Sequence, residues 1–126
     1  IAEFCGAHED CARIVSGGPM MGEPVFSLKV CTGKTTSSLL FLDASECENK
    51  VATPCIGCGR CVQACPMGLS PTFIEEAVFA KNYAEGKRFG AESCIGCGCC
   101  SYVCPAKRFL AQSVKLAKKI IRERKV

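Results

Sequence analysis

The chain has 126 residues, of which 13 are Cys, 16 are Lys or Arg and 12 are Asp or Glu, for a net charge of +4. That length holds one domain or two small ones, and no apolar run approaches the ~18 residues that read as a membrane-crossing helix. Charge is uneven, net −3 over residues 1–50, zero over 51–104 and +7 over 105–126, so any attraction to an acidic partner belongs to the C-terminal end.

Taken in order, residues 1–12 read as the end of a short helix and a loop. The start at Ile1 reads as the interior of a longer protein. Cys5, His8 and Cys11 have metal-like spacing, but no fourth ligand accompanies them and such coincidences are common in so Cys-rich a chain. Arg13–Ser16 reads as a strand running into Gly17-Gly18-Pro19-Met20-Met21-Gly22, a stretch dense in turn formers. This stretch is not a G-x-G-x-x-G phosphate loop. Gly33-Lys34-Thr35 fails as a P-loop because Leu28 stands where a Gly is required. Pro24–Val30 and Ser37–Leu42 read as further strands, so residues 13–43 form part of a small β-rich unit. Cys31 and Cys47 are expected as free, partly buried thiols. Residues 43–53 are polar and read as a linker.

The chemistry lies in two cysteine runs. Cys55, Cys58, Cys61 and Cys65-Pro66 follow C-x2-C-x2-C-x3-C-P, and Cys94, Cys97, Cys100 and Cys104-Pro105 repeat it. This is the spacing of two-cluster iron–sulfur proteins, in which the fourth Cys of each run serves the other cluster. Three closely spaced thiolates can wrap three corners of a cube, and Gly57, Gly59, Gly96 and Gly98 let the loop curl and aim N–H groups at sulfur. Crossed wiring follows: Cys55, Cys58, Cys61 and Cys104 hold cluster one, and Cys94, Cys97, Cys100 and Cys65 hold cluster two. Such crossing couples folding to loading, and the clusters are expected to serve as the core of residues 51–105. Zinc favours separated C-x2-C pairs, and disulfides need an oxidising compartment; both explain this spacing poorly.

Between the runs, Ser70-Pro71 reads as a helix start, with Glu75 and Glu76 near its first turn. The expected helix runs about four turns to Gly86, with Phe73, Ala77, Ala80 and Ala84 on one face, flanked by Ile74 and Val78. After the second run, Ala106–Arg124 reads as an amphipathic helix. Its apolar positions are Phe109, Leu110, Val114, Leu116, Ala117, Ile120 and Ile121. Lys107, Arg108, Lys115, Lys118, Lys119, Arg122 and Arg124 take the other faces, read as a solvated basic surface. Attraction to an acidic electron donor or an anionic membrane surface is the sharper alternative; nucleic acid is disfavoured because no aromatic platform accompanies the charge. The fold class is thus α+β, a β-rich segment followed by an α-helical two-cluster domain.

The stretch Ser16-Gly17-Gly18-Pro19-Met20-Met21-Gly22 resembles the GGPMMG segment of the C subunit of Rnf electron-transport complexes. So do Lys34-Thr35 with Ser38-Leu39-Leu40, Pro54–Leu69 around the first run, and the Gly98-Cys99-Cys100-Ser101-Tyr102-Val103-Cys104-Pro105 ending of the second. The similarity covers nearly the whole chain in order. It implies that residues 1–50 are a partial SLBB-like (β-grasp-like) segment with a linker, and residues 51–126 a [4Fe–4S] dicluster ferredoxin-type domain with a basic C-terminal helix. It further implies a peripheral subunit on the cytoplasmic face of the membrane, in a complex passing electrons between ferredoxin and NAD and coupling this to Na⁺ or H⁺ movement. FMN and NADH would bind an N-terminal region outside this sequence. Partners would be the other Rnf subunits and a ferredoxin or flavin, with membrane contact indirect or through the basic helix. Cys99, outside the ligand spacing, is expected in packing or beside a ligand. The expected function is one-electron relay through two [4Fe–4S] clusters, with no catalytic residue required, since His8 is the only histidine and nothing makes it a general base. Competing readings are a soluble oxidoreductase on a similar scaffold (a cobalamin reductase or amino-acid-reductase partner), a zinc-bound interaction module and a free ferredoxin carrier.

Overall fold

A computed structural model describes residues 4, 11–27, 29–47 and 51–124. Cys5 and His8 lie outside the described residues, so the metal-like triplet has no structural account; Cys11 sits half-buried in the first strand. The chain divides into two units, residues 1–50 and 51–126.

In the first unit, β1 (Cys11–Ser16), β2 (Glu23–Val25) and β3 (Leu39–Asp43) form an antiparallel sheet in the order β2-β1-β3. Ile14 pairs with Val25 on one side and Phe41 on the other, and the register shifts between Cys11 and Arg13. The Gly-rich stretch is the hairpin connection. Gly17 has φ 106° and its N–H donates to the Ser38 carbonyl at 2.8 Å. A Cβ on Gly22 would sit 2.5 Å from Val15 Cγ1, so only glycine allows the chain back against β1 there. The strand expected over Pro24–Val30 stops at Val25: Phe26 and Val30 are exposed, and no neighbouring strand pairs beyond that point among the described residues. Cys31 is exposed rather than partly buried, while Cys47 is half-buried; both are free thiols.

The second unit is helical: α1 (Arg60–Gln63), α2 (Pro71–Phe79), α3 (Tyr83–Arg88), a single 3-10 turn at Ala91–Ser93, α4 (Cys99–Tyr102) and α5 (Leu110–Arg124). The four-turn helix expected after Ser70 is broken into α2 and α3. Lys81 takes a left-handed φ of 56°, and the Asn82 N–H donates to the Ala77 carbonyl at 2.8 Å, which closes α2 with a Schellman-type end. The Asn82 side chain then caps α3 by accepting from the Glu85 N–H. Gly86 does not stop a helix; it lies buried inside α3, facing Ala77 of α2, where an added Cβ would make ordinary contact with Ala77 Cβ at 3.9 Å.

The buried face of α2 is Pro71, Ile74, Glu75 and Ala77, whereas Phe73 is half-exposed and stacks on Phe89 with ring centroids 5.4 Å apart. On α5, Leu110, Val114, Ala117 and Ile121 recur at four, three and four residues and are almost wholly buried. Phe109 and Leu116 stay largely outside, so the apolar stripe is narrower than the composition suggests. Leu69, Ile74, Ala91, Val114, Ala117 and Ile121 make one continuous core, each large side chain contributing about 1.5–3 kcal/mol by burial. A second buried group joins Cys61, Cys104, Ala106 and Leu110. The unit therefore has an apolar core of its own beside the one its cysteines build.

Candidate cluster sites

The two runs occupy matching places in an internal repeat, since Cys94 follows Cys55, and Cys104 follows Cys65, by 39 positions. Each begins as an extended loop and ends in a one-turn helix. α1 is entered through Gly59 at φ 71° and α4 through Gly98 at φ 82°. Gly57 and Gly96 also take positive φ, 67° and 71°, and their N–H groups donate to the sulfurs of Cys55 at 3.5 Å and Cys94 at 3.3 Å. A β-carbon would strain these four positions. The loops are therefore shaped to bring backbone N–H groups to sulfur, an arrangement that stabilises charge on a thiolate.

Two cavities follow from this geometry. One is lined by Cys55, Cys58, Cys61 and Cys104, with Leu110 and Ala106 behind them. The other is lined by Cys65, Cys94, Cys97 and Cys100, with Val114 and Leu69 behind. Each cavity thus brings together three thiols from one run and the last thiol of the other. Leu69 N–H also donates to Cys65 Sγ at 3.4 Å. The first cavity is open, about 210 Å³, with Cys55 and Cys58 exposed. The second is drawn down to about 20 Å³, with its four cysteines half-buried.

Four thiols on a largely apolar wall fit a [4Fe–4S] cube, which needs one thiolate per iron. Burial pushes the Cys100 thiol up to about 11 and raises Cys61 as well. These thiols stay protonated near neutral pH on their own, and bound iron would supply the positive charge that favours the thiolate. Cys99 lines neither cavity. Its thiol is raised chiefly by a hydrogen bond with the Cys97 side chain, which places it beside a candidate ligand.

The repeat also exposes a pair that spacing alone did not single out. Arg108 Nε donates to Glu75 Oε2 at 2.6 Å, with the Glu75 side chain 4% and that of Arg108 19% exposed. The Glu75 hydrogen bond raises the Arg108 pKa above its ordinary value, and the Cys55 and Cys104 thiols add to this, so the guanidinium lies on the side of the first cavity. Glu75 is therefore a buried partner rather than a helix-dipole acid. The available signal was the repeat itself: Glu75 stands 39 positions before Val114, and Arg108 stands 39 after Leu69, both apolar core positions.

The glycine loops lead to a first prediction. At Gly96 a Cβ would meet Lys115 Cε at 3.0 Å, whereas at Gly57 nothing lies within 4 Å. Both Gly→Ala changes carry the left-handed penalty of about 1–2 kcal/mol, but Gly96→Ala must also displace Lys115. Iron release to a chelator is expected to be faster in both variants and fastest in Gly96→Ala; equal release rates would contradict the inequivalence of the loops.

Residues 54–108 match the family model described as a 4Fe-4S dicluster domain. Over 98% of its length the chain is 44% identical to the C subunit of the ion-translocating oxidoreductase complex of Rhodobacter capsulatus, of which it covers 24%. It is 42% identical over 96% of its length to the C subunit of the Na⁺-translocating ferredoxin:NAD⁺ oxidoreductase complex of Acetobacterium woodii, covering 28% of that protein. It is 37% identical over 68% of its length to the C subunit of the proton-translocating ferredoxin:NAD⁺ oxidoreductase complex of Clostridium ljungdahlii, covering 19%. The chain spans about a quarter of the length of the first two relatives. The dicluster match carries with it two [4Fe–4S] clusters as cofactors.

Proposed function

Because the chain belongs to the family of C subunits of ion-translocating oxidoreductase (Rnf) complexes, we propose that it relays electrons one at a time through two [4Fe–4S] clusters within such a complex. The ligand set is Cys55, Cys58, Cys61 and Cys104 for one cluster and Cys94, Cys97, Cys100 and Cys65 for the other. The observation that carries this assignment is the pair of cavities, each lined by three cysteines of one run and the last of the other. Bound clusters supply the redox chemistry; the protein's residues supply thiolates, N–H donors to sulfur and exclusion of water, which together tune potential. This part of the protein is an electron-transfer module without a substrate site of its own. Flavin and NADH chemistry belongs to regions of the family's longer chains.

Residues 1–50 are the SLBB-like portion, and the three-stranded sheet with its Gly17–Gly22 hairpin is compatible with it. The partners are the other subunits of the complex and a ferredoxin or flavin, at the cytoplasmic face of the membrane. No described helix is long and apolar enough to cross a membrane, which accords with a peripheral position.

Anaerobic iron and sulfide analysis tests the proposal, together with EPR of the dithionite-reduced chain. About eight irons and eight sulfides, with a spin-coupled reduced spectrum, are expected for two [4Fe–4S] clusters. Bound zinc without an EPR signal would replace the relay by a structural metal module.

A further inference from the structure

The two sites share ligand spacing but differ in the charge around them. At the first site the half-buried cation, Arg108, is neutralised by its buried partner Glu75, while Arg60 inside the run and Lys107 after it are exposed and screened by solvent. At the second site the repeat places Leu69 and Val114 where the first has Arg108 and Glu75, and both are in the apolar core. Positive charge reaches the second site from α5 instead. Lys118 Nζ donates to the backbone carbonyl of Cys94, a neutral acceptor on the first cysteine of the run. Lys115, one turn earlier, lies over Gly96, close enough that a Cβ there would meet its Cε at 3.0 Å. Both lysines are half-buried, whereas Lys119 and Arg122 on the same helix are exposed. At the corresponding positions of the first half, 39 residues earlier, stand Glu76 and Phe79, both exposed. The basic face of α5 is therefore two surfaces: a solvated one, and a pair of ammonium groups folded over the second cysteine loop.

An electron added to a cluster adds one negative charge, and a partly buried ammonium beside it stabilises that charge with little screening by salt. We propose that Lys118, assisted by Lys115, makes the second site the stronger electron acceptor of the two. Lys118 acts by its charge, held in place by the Cys94 carbonyl, and is not a ligand. One electron gained at the second site is one given up by the first, so the charge asymmetry biases the relay from the Cys55–Cys61 loop toward the Cys94–Cys100 loop. This inference rests on the two-cluster reading.

The test is an EPR-monitored potentiometric titration of the full chain, reconstituted anaerobically with iron and sulfide and reduced with dithionite. The unaltered protein is expected to give two midpoints. Lys118→Gln should lower the higher one and narrow the gap, Lys118→Arg should restore the gap, and Lys115→Gln should lower the same midpoint by less. A fully loaded Lys118→Gln protein whose gap is unchanged or wider would overturn the inference. If Lys118→Gln sheds a cluster, Lys115→Gln decides: the higher midpoint falling upholds the proposal, and two unmoved midpoints refute it. About four irons in the unaltered chain would overturn the two-cluster reading, and the inference with it, whereas about eight irons with insensitive potentials would overturn the inference alone.

Discussion

Cys104→Ala should empty the site built by the first cysteine run and leave the second run protected. Cys104 follows the second run in sequence, but in space it lines the cavity of Cys55, Cys58 and Cys61. It is also buried there with Cys61, Ala106 and Leu110. Iron is expected to fall from about eight to about four per chain. The discriminating readout is alkylation of the anaerobic holoprotein followed by peptide mapping. Cys55, Cys58 and Cys61 should become reactive, while Cys65, Cys94, Cys97 and Cys100 stay protected. Cys65→Ala should give the mirror pattern, freeing Cys94, Cys97 and Cys100. Reactivity confined to the run that carries the substitution would sink the crossed assignment and leave two self-contained sites. Each variant should also unfold more readily than the parent, because each cluster ties the ends of both runs and its binding energy is part of the folding energy.

How far the sequence alone could go is clearest from the residues it placed and those it did not. The shape of the two cysteine loops was legible because their spacing is a local property: the positive-φ glycines and the one-turn helices after them are set within twelve residues. The start of α2 at Ser70-Pro71 was legible for the same reason. The break at Lys81 was not, because a left-handed lysine carries no local signature. The break is held by the Asn82 cap and by α3 packing its buried Gly86 against Ala77. Helical periodicity also overstated the apolar stripe of α5, counting Phe109 and Leu116 that stay exposed. It likewise read Lys115 and Lys118 as solvated when the fold half-buries them. Glu75 shows the limit most clearly. A glutamate early in a helix is ordinarily a dipole acid, and only a partner 33 positions away makes it a buried ion-pair residue.

That ion pair leads to the other large effect. Arg108→Leu should destabilise the second unit by about 3–5 kcal/mol, because it strands the buried Glu75 carboxylate, and Glu75→Val should cost less, because the Arg108 side chain it strands is only half-buried. The first loss is a large share of the ~5–15 kcal/mol that holds a typical domain. The two changes together should recover most of it. The repeat indicates why: at the equivalent positions of the other half, Leu69 and Val114 already form part of the apolar core without a charge between them. Replacing a buried ion pair by well-packed apolar residues is commonly neutral or stabilising, while removing one partner is not. Anaerobic denaturant titration of the four proteins, followed by far-UV circular dichroism, closes the double-mutant cycle. A double variant as unstable as the summed singles would mean that Arg108 and Glu75 contribute separately, through contacts other than the one they share. Recovery of stability would show that the pair is needed only as a pair. The first site's midpoint should then hardly move in the double variant, because the two side chains removed carry no net charge between them.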